Sequence, residues 1–133
     1  MATYEVQTLV ERGEPITIVK LSGQLEPANI RALFVVLQDR AQKLGVLRIL
    51  IDETEMKAGL MGFNDLHDLL DQWRGATALL KSSRIAVWAT NPVIRGLNQT
   101  FRLLAKLERQ GSMSAFSKRA DALAWLVEGS VAR

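Results

Sequence analysis

Where the apolar run VLRILI ends, the segment LIDETEMKAGL (residues 50–60) places three carboxylates, Asp52, Glu53 and Glu55, around one hydroxyl, Thr54. Those residue types admit a catalytic site, a hard-cation site, a phosphate-accepting loop or a solvated turn. Catalysis would need a partner elsewhere. The one histidine, His67, follows within a helical pattern and has Asp71 four residues on, close enough on a helix to pair with it. No nucleophile lies nearby in sequence, so His67 reads as a structural, at least half-exposed residue and not as a general base.

The other chemistries meet specific obstacles. A calcium loop needs alternating oxygen ligands, a glycine and a distal bidentate glutamate; DETEMKAGLMGF has the first acids and nothing further, and Lys57 opposes a cation. The sequence has no G-x-S-x-G elbow, no G-x-x-x-x-G-K-[ST] loop and no G-x-G-x-x-G fingerprint, which removes the usual hydrolase, nucleotide and dinucleotide signatures. There are no cysteines for thiolate sites or disulfides. No catalytic residue, metal ligand or cofactor site is assigned. An aspartyl-phosphate receiver is also rejected. Asp52 ends an apolar strand and Lys118 follows a later one, but the first two strands lack the acidic pair that would hold magnesium, since Glu11 sits in the turn between them.

The elements that must position these residues follow from periodicity. TYEVQTLV and ITIVKLSG flank ERGEP and read as two antiparallel strands, because so short a link cannot make a parallel crossover. Ile30, Leu33, Phe34, Leu37, Ala41 and Leu44 then recur at helical spacing between Pro27 and Gly45. VLRILID is a buried strand, followed by the acidic loop. Phe63, Leu66, Leu70, Trp73, Ala76 and Leu80 mark one further helix. RIAVWAT is the next strand, and Asn91 caps a helix whose buried stripe is Val93, Leu97, Phe101 and Leu104. SMSAF and a last helix capped by Ser117 complete the chain. The expected fold is α/β: a mixed, mostly parallel sheet with an antiparallel first strand, packed by about four helices. Ile49, Ile51, Ile85, Val87, Phe34, Leu37, Trp73 and Leu123 are its expected core.

The chain of 133 residues suits one domain, 1–133. No apolar run is long enough for a membrane span, and early charges argue against a signal peptide, so the expectation is a cytoplasmic protein without stable membrane insertion. The net charge of +3 is unevenly spread: residues 52–71 hold six acids and one base, residues 91–120 six bases and one acid. No nucleic-acid partner is expected.

Four segments carry a family resemblance: VKLSGQLEPANI, LRILIDE, RIAVWA and SAFSKRADALAWL. With the ββαβαβαβα order, they resemble STAS domains, the fold of sulfate-transporter tails and anti-sigma-factor antagonists. Within that group the chain is similar to the stand-alone SpoIIAA-like proteins, distantly related to the Sec14-type lipid-binding fold. The resemblance implies a non-catalytic regulatory or protein-interaction module. It also implies a phosphate-accepting serine or threonine after the third strand, where the family pattern resembles Asp-Ser-Ser-Gly. Here Thr54 is the only hydroxyl and is flanked by acids, so a phosphate there would meet like charge.

The expected partner face is the acidic loop and the outer side of the second long helix: Asp52, Glu53, Glu55, Asp65 and Asp68. The alternative is a carrier of a lipid or small apolar ligand, with Met56, Met61, Phe63, Leu103 and Leu107 as candidate pocket or interface residues. Surplus apolar surface on the helix from Pro92, rimmed by Arg95, Arg102, Lys106 and Arg109, suggests a two-fold homodimer in which that rim faces the acidic loop and helix of a second copy.

Overall fold

A computed structural model describes residues 3–24, 27–57, 63–76, 78–107 and 112–128. Strand β1 (Thr3–Glu11) turns through Arg12 and Gly13, both at positive φ, into β2 (Glu14–Gln24). Two consecutive left-handed residues make the turn that matches strand twist, which places Gly13 where a side chain would be strained. Helix α1 (Pro27–Leu44) ends at Gly45, whose positive φ closes the last turn. Then follow β3 (Arg48–Lys57), α2 (Phe63–Arg74), α3 (Ala78–Ser82), β4 (Arg84–Trp88), α4 (Pro92–Leu107), β5 (Ser112–Phe116) and α5 (Arg119–Leu126).

The five strands lie in the order β1-β2-β3-β4-β5, with the first pair antiparallel and the rest parallel. Consecutive parallel neighbours joined by right-handed crossovers put every crossover helix on the same side. The core records this. On one face Val19, Leu21, Ile49, Ile85 and Val87 pack with Leu33, Leu37 and Ala41 of α1, Leu70 and Trp73 of α2, Leu80 of α3 and Ile94 of α4. The opposite face, Ile16, Leu50 and Ala86, is covered by Ala122, Leu123 and Leu126 of α5. Alternation along each strand explains the division, since neighbouring residues face opposite sides. All eight expected core residues lie in these two clusters, with Ile51 and Phe34 partly buried.

Four expectations change. The acidic segment is strand, not loop: β3 runs on to Lys57 because β2 is long enough for Ser22, Gly23 and Gln24 to pair with Glu55, Met56 and Lys57. The single helix expected to reach Leu80 is broken after Arg74, and a short second helix, α3, carries Leu80. In α4, Ile94 is fully buried and Val93 is 58 % exposed, the reverse of the expected stripe. The two flank the same stripe symmetrically, and burying the larger side chain removes more apolar surface from water. Finally, Lys118, not Ser117, is the N-cap of α5, with no side-chain cap bond.

Candidate functional site

The carboxylate cluster sits at the C-terminal end of β3, where register decides each residue's surroundings. Lys20 of β2 stands opposite Asp52, whereas Ser22 stands opposite Glu55. β3 therefore carries one residue more than β2 across this interval, a β-bulge that takes a backbone group out of the ladder. Asp52 repairs the loss. Its Oδ1 accepts hydrogen bonds from the backbone N–H of Thr54 at 2.9 Å and from the Thr54 hydroxyl at 2.7 Å. Glu55 reaches back across the bulge to Lys20 Nζ at 2.9 Å, both side chains being about half exposed. The hydrogen bond and charge of Glu55, with Asp52 contributing less, raise the Lys20 pKa above its ordinary value. Glu53 is only 6 % exposed and has an interaction of its own. Thus Asp52, Glu53, Thr54 and Glu55 share one strand, where Asp52 holds Thr54 and Glu55 holds Lys20.

Met56, a candidate pocket liner, is 4 % exposed within the core beneath α1–α4. Met61 lies outside the described residues. Phe63 and Asp65 fall in the first turn of α2 and Leu107 ends α4, and of these three the structure describes the backbone alone. Leu103 is 59 % exposed. On α2, His67, Asp68 and Asp71 are exposed. Asp71 pairs with Arg74 at 2.8 Å. Among the described residues, no three His, Asp or Glu side chains form a metal-holding group.

An open groove of about 400 Å³ separates α1 from α2. Phe34 and Val35 form its apolar wall, Arg31 stands on the α1 side, and Asp68, Asp71 and Gln72 line the α2 side. Phe34 also packs on Trp73 at 6.0 Å between ring centroids. Sequence reasoning found Asp68 but missed Arg31, Val35 and Gln72, because periodicity alone does not say which helices become neighbours. It missed Lys20 as well, although the long β2 offered a signal through its parallel register with β3.

A family model described as SpoIIAA-like matches residues 16–127. Among solved structures, an uncharacterised protein from Shewanella loihica PV-4 with a SpoIIAA-like fold superposes with a TM-score of 0.65, at 17% identity over 95% of each chain. An anti-sigma factor antagonist from Mycobacterium paratuberculosis gives a TM-score of 0.55 at 19% identity, covering 93% of this chain and 96% of the other. No curated protein matches the sequence.

Proposed function

The chain belongs to the SpoIIAA-like family, and from that premise we propose that it is a STAS-type regulatory module that acts by binding a protein partner and not by transforming a substrate. The partner face is the acidic end of β3 with the outer side of α2. One observation carries the reading: on β3 Asp52 is engaged with Thr54 and Glu55 with Lys20, while the adjacent α2 holds Asp68 and Asp71 exposed. Groups so arranged attract a basic surface without converging on a reacting atom. The fold shared with an anti-sigma factor antagonist agrees with this use.

The test is affinity capture on the full chain from the cells that make it, beside the variant carrying Asp68→Lys and Asp71→Lys. At least one protein should be held by the parent and released by the variant, which should melt within a few degrees of it. Capture of nothing, or of the same proteins by both, would sink the reading. A native mass spectrum carrying an apolar adduct would instead favour the carrier alternative.

The exposed side of α4 completes the proposal. Val93 and Leu103 are both more than half exposed, and Arg95 is exposed between them in sequence. These exposed apolar and basic residues complement the acidic α2, and α2 and α4 touch within the fold. A two-fold axis beside them lets each α4 meet the α2 of a second copy, giving a homodimer.

A further inference from the structure

Gln72 is one of the described residues whose buried polar atoms the fold leaves unpaired. It lines the groove between α1 and α2, and both its amide atoms are buried with no hydrogen-bond partner among the described residues. Buried polar atoms are nearly always paired, and an unpaired amide lowers stability. The surroundings of Gln72 indicate a partner. Phe34 and Val35 offer an apolar wall, and Val35 is 61 % exposed although it faces the groove. Asp68 and Asp71 put negative charge on one lip, and Arg31 puts positive charge on the other. The ion pair from Asp71 to Arg74 is exposed, and such pairs exchange readily for a better cation.

We propose that this groove is a peptide-binding site, which takes from a partner protein a short segment carrying a lysine or arginine beside an aliphatic side chain. The proposal rests on the protein-binding reading above and specifies its partner. A carboxamide offers one acceptor and a paired donor, which matches the N–H and C=O of a peptide main chain. Gln72 therefore holds the backbone of the segment after a change of rotamer. The aliphatic side chain lies against Phe34 and Val35. The cation sits by Asp68 and Asp71, and Arg31 donates a hydrogen bond to a main-chain carbonyl from the far side. The groove has room for a few side chains and not for a folded domain.

Two end-capped peptides serve as probes, one alternating leucine with lysine and the other leucine with glutamate. Titrated into isotope-labelled full chain, the lysine peptide should shift the amide resonances of residues 31–38 and 68–75, and the glutamate peptide should not. Val35→Lys, at an exposed position, should weaken the lysine peptide about tenfold with the melting temperature nearly unchanged. Gln72→Leu should weaken it while raising the melting temperature, because the unpaired amide is gone. A purely structural Gln72 would not couple those two readouts in opposite directions. Equal binding of both peptides, shifts that map elsewhere, or unchanged affinity in both variants would overturn the site. So would phosphatidylcholine vesicles that perturb these residues when the lysine peptide does not. Partner capture abolished by Asp68→Lys with Asp71→Lys, yet untouched by Val35→Lys and Gln72→Leu, would refute the groove and leave the module standing.

Discussion

Asp52 occupies the position where a strand-end carboxylate most resembles a catalytic group, yet its Oδ1 holds the backbone N–H and hydroxyl of Thr54. Removing it should therefore be felt in stability. Asp52→Ala leaves the bulge N–H unpaired and should cost about 1–3 kcal/mol, whereas Thr54→Val, which loses one hydroxyl bond, should cost about 0.5–1.5 kcal/mol. Denaturant titration measures both, and an Asp52→Ala chain as stable as the parent would refute the role. Thr54→Glu, imitating a phosphate, adds charge among Asp52, Glu53 and Glu55 and should destabilise more than Thr54→Val. The neighbouring pair has its own signature. Glu55 keeps Lys20 protonated beyond its ordinary 10.5. The contribution of the pair is complete below the unfolded lysine value of about 10.4 and disappears as pH rises through the higher folded value. Lys20 and Glu55 are both exposed, so the effect is small. It is visible as a Lys20 side-chain NMR midpoint above 10.5 that falls back in Glu55→Gln.

The helices divide the sheet between them, and each side can be tested. Leu37 of α1 is 1 % exposed in the larger core, so Leu37→Ala should cost about 2–5 kcal/mol in a denaturant melt. On the other side, α5 is held at its C-terminal end by arginines from the starts of two strands. Arg48 Nε donates to the Leu126 carbonyl at 3.0 Å, and Arg84 Nη2 donates to the Trp125 carbonyl at 2.6 Å. Arg84 also lies over the Trp125 ring, 4.3 Å from its centroid. Cations at a helix C-terminus answer the dipole and the unpaired carbonyls together. Arg84→Ala should therefore speed amide exchange in α5 more than in α1; equal changes in both would mean that the arginine does not anchor the helix. These elements were largely legible in the sequence, because Leu33, Leu37 and Ala41 repeat at helical spacing and Ile49, Leu50, Ile85 and Ala86 form unbroken apolar strands. The acidic site was not. Asp52, Glu53, Thr54 and Glu55 read as a loop because polar residues end an apolar run, and only the pairing of Ser22 and Gly23 across the bulge keeps them in the strand. Gln72 carried no signal at all, since an amide on a helix reads as solvated until a second helix lies beside it.

At the scale of the whole molecule, α2 is proposed to serve twice: toward a protein partner and toward the α4 of a second copy. No described helix is long and apolar enough to cross a membrane, so the exposed Val93 and Leu103 are not accounted for by a spanning helix. Burying them against a second copy would remove apolar surface from water, and the exposed Arg95 on the same helix would favour an acidic counterpart. Exposed ion pairs weaken as salt shortens the reach of charge, to about 10 Å at 0.1 M and 3 Å at 1 M. Sedimentation at about 100 μM, far above the dissociation constant of a sub-micromolar dimer, should therefore show a dimer at low salt and more monomer at high salt. A monomer at both would end the dimer, and a dimer strengthened by salt would mean that the apolar stripe pairs without its charges. The shared use of α2 adds a sharper requirement. Asp68→Lys with Asp71→Lys should abolish dimer and partner capture together, and the lysine-bearing peptide should convert dimer to monomer as it saturates. Peptide and dimer coexisting on one chain would show that α2 has two independent faces. Mutual exclusion would make self-association the resting state, from which a partner must displace the second copy.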